Sequence, residues 1–105
     1  MYKAILGALL LLFRDFCVRF TERGLTANEK QEIEDCLVQE ILQKNKAIRE
    51  NISIDDLEDL KDESSLNRNR DHYIIRYSML GNDPIARSAL HIVMEYEHRL
   101  LREFA

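Results

Sequence analysis

At 105 residues the chain is long enough for one domain with a single core, and too short for a second domain or a deep substrate cleft. Apolar residues make up 46% of it, and only three glycines and one proline are present, which excludes a turn-rich all-β fold. The formal net charge is −4, and the acidic middle of the chain disfavours binding to the phosphates of nucleic acid. We therefore predict an all-α protein, a small four- or five-helix bundle that forms a single helical domain over residues 1–105.

The first predicted helix covers residues 2–23 and ends at Gly24, because glycine is the usual residue just past a helix. Its apolar residues recur at helical spacing, which predicts one buried stripe. That stripe consists of Leu9, Leu12, Phe13, Phe16, Cys17 and Phe20.

Two capping boxes predict the next helix starts. Thr26 and Glu29 have the spacing of a capping box, so the second helix begins at about Ala27, and its apolar positions extend towards Ile48. Ser53 begins a similar pattern, followed by acidic residues that suit the positive end of a helix. This pattern predicts a short helix over residues 54–62, after which the polar residues 64–71 are expected to form a mobile loop.

The C-terminal third contains two further predicted helices. Residues 72–80 are rich in apolar side chains and are closed by Gly81, which favours a helix over a strand. Asp83 followed by Pro84 is typical of a helix start, and the last helix is predicted over residues 84–104. Its apolar stripe is broad, with Ala86, Ala89, Leu90, Val93, Tyr96, Leu100 and Phe104 flanked by Ile85, Ile92 and Leu101.

The first half of helix 1 is apolar on every side, which is unusual for a helix at the edge of a small bundle. Unless this helix is central to the monomer, part of its surface must be covered by a second subunit. We expect this interface to consist of Ile5, Leu6, Leu10 and Leu11. An alternative is that residues 2–20 lie on a membrane surface, because the run Ala4–Phe13 is too short to span one.

Two polar clusters are candidate sites. His91, Glu95 and His98 share one helix face and have the spacing of metal ligands, but Arg87 and Arg102 flank them, so a solvated face is the preferred interpretation. A metal-dependent enzyme built on these three residues is the less favoured alternative. The second cluster is an acidic run that could bind a basic partner, made of Asp55, Asp56, Glu58, Asp59, Asp62 and Glu63.

Catalytic and nucleotide-binding patterns are absent from the sequence. Cys17 and Cys36 lie on apolar helix faces far from every histidine, so we expect reduced, buried thiols, with a bridge between the first two helices as the alternative. The segment 67–70 offers only two arginines to nucleic acid. We therefore predict a cytoplasmic, non-enzymatic protein-interaction or regulatory module without a cofactor, which self-associates as a homodimer or higher oligomer through helix 1 and binds another protein.

Overall fold

The computed structural model describes residues 1–79 and 81–104, and within these ranges the chain is helical and contains no strand. Seven helices are present in the described part. In chain order they are α1 (Tyr2–Thr21), α2 (Ala27–Lys44), α3 (Lys46–Asn51), α4 (Ile54–Lys61), α5 (Glu63–Arg68), α6 (Arg70–Met79) and α7 (Pro84–Phe104). The all-α prediction is confirmed, although the helices are more numerous than four or five.

Local signals set the ends of the long helices as predicted. Gly24 adopts a φ of +107°, and the backbone N–H of Leu25 turns back to donate to the carbonyl of Phe20. The capping box at the start of α2 is present, with the Thr26 hydroxyl and the Glu29 carboxylate each accepting from the other residue's backbone N–H. The second capping box, at Ser53, likewise begins α4.

The start of α7 is also the one predicted. One carboxylate oxygen of Asp83 accepts hydrogen bonds from the backbone N–H groups of Ile85 and Ala86, at 2.7 and 3.4 Å. Pro84 occupies the first helical position, where its missing N–H costs no intrahelical bond. The helix then continues to Phe104.

The predicted mobile loop over residues 64–71 is wrong. This segment contains α5 and the start of α6, separated by a bend at Asn69. Asp62 caps α5, and Leu66 is completely buried. Packing therefore stabilises a helix that the polar sequence of this segment does not predict. The helix predicted over 72–80 consequently begins two residues earlier, at Arg70, and its predicted last residue, Leu80, lies outside the described residues.

Helix α1 lies at the centre of the fold. It packs against α4, α5, α6 and α7, while α2 packs against α7 and α3 follows α2. The Cα radius of gyration is 13.3 Å, which matches the roughly 13 Å expected of a compact chain of about this length. Eleven residues of α1 are buried: Ala4, Ile5, Leu6, Gly7, Ala8, Leu9, Leu10, Leu11, Phe13, Cys17 and Phe20.

The central helix passes very close to α6 at one point. A Cβ atom added to Gly7 would lie 2.6 to 2.9 Å from three ring atoms of Tyr73, which is closer than carbon atoms can approach. Tyr73 itself is only 5% exposed. Glycine at position 7 therefore lets the tyrosine ring pack directly on the backbone of α1.

Candidate functional site

The expected exposed patch on the first half of α1 is not present. Ile5 and Leu6 are fully buried, and Leu10 and Leu11 are 4% and 1% exposed within the single chain. The prediction that these four residues need a second subunit to cover them is wrong, because the short helices α4, α5 and α6 and the long α7 together surround α1. Any self-association must therefore use other residues.

The membrane-surface alternative depended on the same residues. Its apolar anchor is inside the protein, since residues 4–11 are all buried. In the described part of the chain, every helix falls short of the length and apolar content needed to cross a bilayer. Residues 2–11 therefore present no exposed apolar face that could bind a membrane surface.

Part of the acidic run, residues 55–63, forms ion pairs and helix caps within the fold. The ammonium group of Lys3 lies 2.9 Å from a carboxylate oxygen of Asp59 and 3.7 Å from one of Asp56, which ties α1 to α4. Asp56 also completes the capping box of α4, and Asp62 caps α5. The backbone N–H of Ser53 lowers the pKa of Asp56, with smaller contributions from the Ser53 hydroxyl and Lys3. Asp55, Glu58 and Glu63 are exposed, and binding of a basic partner by this run stays a prediction.

His91, Glu95 and His98 are all exposed on α7. Among residues 1–79 and 81–104, no group of three or more histidine, cysteine or acidic side chains is arranged to hold a metal ion. The three side chains lie along one exposed face of α7.

The two cysteines differ, and neither is bridged. Cys17 is buried, and its burial, aided by the charge of Glu34, raises the pKa of its thiol to about 12. Cys36 is exposed, which corrects the expectation that both thiols are buried. It lines a cavity of about 350 Å³ between α2 and α7, beside Tyr96 and Arg99. The arginine lies over the tyrosine ring, 4.6 Å from its centre.

A buried ion pair joins α1 to α2. Arg14 donates from Nε and Nη2 to the two carboxylate oxygens of Glu34, at 2.9 and 3.2 Å. The side chains of Arg14 and Glu34 are 11% and 4% exposed. The remaining nitrogen of Arg14, Nη1, is buried and has no hydrogen-bond partner among the described residues. An unsatisfied buried donor costs about 1–3 kcal/mol, so this atom is unusual in a folded protein.

A groove of about 370 Å³ lies between α1 and α7. We call it the α1–α7 groove. It is lined by Leu12, Asp15, Phe16, Arg19, Leu90, Val93 and Glu97. Leu12, predicted as part of the buried stripe, is 40% exposed here. On α7, Met94 and Leu101 are 43% and 40% exposed and share a helical face with Leu90 and Glu97.

Charged side chains border this groove. Asp15 binds Arg70 of α6, whereas neither Arg19 nor Glu97 forms an ion pair within the described residues. The guanidinium of Arg19 lies over the ring of Phe16, 4.7 Å from its centre. Burial raises the pKa of Glu97, against the opposing effects of His98 and Arg19. The groove therefore presents apolar side chains together with the cation of Arg19 and the partly buried carboxylate of Glu97, neither of which forms an ion pair within the described residues.

Comparisons with protein-family descriptions, with curated proteins and with solved structures find no match to this chain.

Sequence reasoning missed the α1–α7 groove. Leu12 and Leu101 belong to broad apolar stripes, and helical spacing cannot tell which member of such a stripe stays uncovered. The available signal was the width of the α7 stripe, which exceeds what one packing neighbour can cover.

Proposed function

We propose that this chain is a non-enzymatic protein-interaction module that self-associates through the α1–α7 groove. The observation that carries the proposal is the exposed apolar surface at the groove: Leu12 lines it, and Met94 and Leu101 are exposed on the face of α7 that carries the lining residues Leu90 and Glu97. Contiguous apolar side chains left on a small protein mark interaction surfaces. Helix α1 thus contributes to the interface, but through Leu12 and not through its buried first half.

A second copy of this chain fits the charges at the groove. A symmetric dimer requires a surface that is complementary to itself, so a residue on one copy must meet its complement on the other. Arg19 and Glu97 carry opposite charges, border the same groove and lack ion-pair partners within the described residues. Across a two-fold axis, Arg19 of each copy pairs with Glu97 of the other, which compensates the burial of that carboxylate.

The apolar contribution is modest. Covering the exposed part of each of the three side chains is worth about 1 kcal/mol, or about 6 kcal/mol for two copies. Association costs roughly 4–15 kcal/mol in lost freedom, so the apolar contacts alone do not give a tight dimer. We therefore expect a dimer that forms reversibly as the concentration rises, a behaviour suited to a regulatory protein.

The solution mass tests this proposal. Sedimentation of the wild type between about 10 and about 500 µM is expected to show the mass rising from that of the 12.4 kDa monomer towards twice that value. Leu12→Glu places a charge in the interface and is expected to keep the protein monomeric and folded. Val18→Glu is the matched control, because Val18 is 64% exposed on the same helix and does not line the groove.

Two outcomes contradict the proposal: a wild type that stays monomeric over the whole range, or Val18→Glu reducing the mass as much as Leu12→Glu does.

We also propose a cytoplasmic location, which two unbridged cysteines support, since reducing compartments keep thiols free.

A further inference from the structure

A third cavity, of about 190 Å³, lies where α1, α2, α4 and α5 meet, away from the α1–α7 groove. We call it the basic cavity. Arg14, Lys30 and Lys61 contribute three cationic side chains to its lining, and Gln31 adds an amide. The chain as a whole is acidic, with a net charge of −4, so a cavity lined by three cationic side chains departs from its overall charge.

The cations of the basic cavity are incompletely satisfied. Arg14 is held in place by its two hydrogen bonds to Glu34, yet its Nη1 is buried without a partner among the described residues. Lys30 is half-buried, and neither Lys30 nor Lys61 forms an ion pair within the described part of the chain. Two ammonium groups without ion-pair partners, one from α2 and one from α4, border one cavity and favour a negatively charged acceptor between them.

The remaining lining defines the charge of that acceptor. Glu34 is neutralised by Arg14, while Glu63 is the one further carboxylate of the lining and opposes an anion. The first residue of α2, Ala27, also lines the cavity, so the positive end of that helix dipole faces it. An anion with several oxygens can accept hydrogen bonds from both lysines at once.

We propose that the basic cavity binds a phosphate-class oxyanion. Lys30 and Lys61 supply charge-assisted hydrogen bonds, and the guanidinium of Arg14, held in place by Glu34, forms part of the wall between them. The site is independent of the proposed dimer, because none of its lining residues belongs to the α1–α7 groove.

Titration of the ¹⁵N-labelled protein with inorganic phosphate, at constant ionic strength maintained with chloride, tests this proposal. Saturable shifts are expected at the side-chain Nε–H of Arg14 and at the backbone amides of residues 27–31. Lys30→Gln and Lys61→Gln are each expected to weaken phosphate binding about tenfold, because each removes one charge-assisted hydrogen bond. Lys61 is exposed, so its replacement leaves the fold intact.

Lys44→Gln is the matched control. It removes the same charge from α2, but Lys44 pairs with Glu40 and does not line the basic cavity. This variant is expected to bind phosphate as the wild type does. The absence of a saturable shift, or an equal weakening in all three lysine variants, would overturn the proposal, since the latter reports only the overall charge of the protein.

Discussion

Replacing Gly7 with alanine tests the close packing of α1 against α6, because two opposing effects act at this position. Alanine is favoured over glycine inside a helix by about 1 kcal/mol. Its Cβ, however, would lie 2.6 Å from a ring carbon of Tyr73, and such overpacking typically costs about 1–3 kcal/mol. We expect the clash to dominate, so that Gly7→Ala lowers the free energy of unfolding by up to about 2 kcal/mol.

Urea unfolding followed by circular dichroism measures this effect, and a double-mutant cycle isolates its cause. In the Tyr73→Ala background the ring is gone, so the same Gly7→Ala substitution is expected to raise the free energy of unfolding by about 1 kcal/mol. Gly81→Ala is the control, because its added Cβ approaches only a carbonyl oxygen at 3.7 Å. If Gly7→Ala stabilises the protein with Tyr73 in place, the proposed packing of α1 on α6 is refuted.

Three further predictions address the core, the ion pair and the thiols. Leu10→Glu buries a charge at a position that is 4% exposed, so it is expected to abolish the cooperative unfolding transition seen by circular dichroism, unlike the same change at an exposed position of α1. Arg14→Met leaves Glu34 buried without its partner and is expected to lower the free energy of unfolding in urea by about 3–5 kcal/mol. Arg14→Met combined with Glu34→Leu is expected to recover most of that loss. Equal losses in the single and the double variant would contradict the buried ion pair. A chromogenic thiol reagent is expected to label Cys36 rapidly and Cys17 only after denaturation, because burial raises the pKa of Cys17 to about 12, and rapid labelling of both would refute this packing.

The features that the sequence predicts well are set by local chemistry. The capping boxes at Thr26 and Ser53, the turn at Gly24 and the start of α7 after Asp83 each depend on a few neighbouring residues. Such interactions are readable from the chain without knowledge of its tertiary contacts.

The errors share a tertiary origin. The segment 64–71 is polar, and its helices form because Leu66 enters the core. The expectation that Leu10 and Leu11 lie on the surface assumes that helix 1 is at the edge of the bundle, whereas it is central. A helix that is apolar on all sides is buried on all sides, and here the short helices α4, α5 and α6 provide the cover.

The candidate sites depend still more strongly on packing. Leu12 and Leu101 have the same chemistry as their buried neighbours, and only the arrangement of α1 against α7 leaves them exposed. Likewise, Glu34 stands three and seven residues before Leu37 and Ile41, on the buried face of α2, but the spacing within α2 does not identify Arg14 of α1 as its partner. Both features follow from relations between helices, which periodicity within one helix does not report.

The solution mass of a charge-exchange set tests the central claim, self-association through the α1–α7 groove, most directly. In the paired arrangement, Arg19→Glu alone and Glu97→Arg alone each place like charges across the two-fold axis, so each single variant is expected to remain monomeric at concentrations where the wild type dimerises. The double variant Arg19→Glu/Glu97→Arg restores opposite charges and is expected to recover the dimer. If the double variant stays monomeric, or if all four proteins have the same mass at every concentration, the two chains do not associate through this groove in the proposed way.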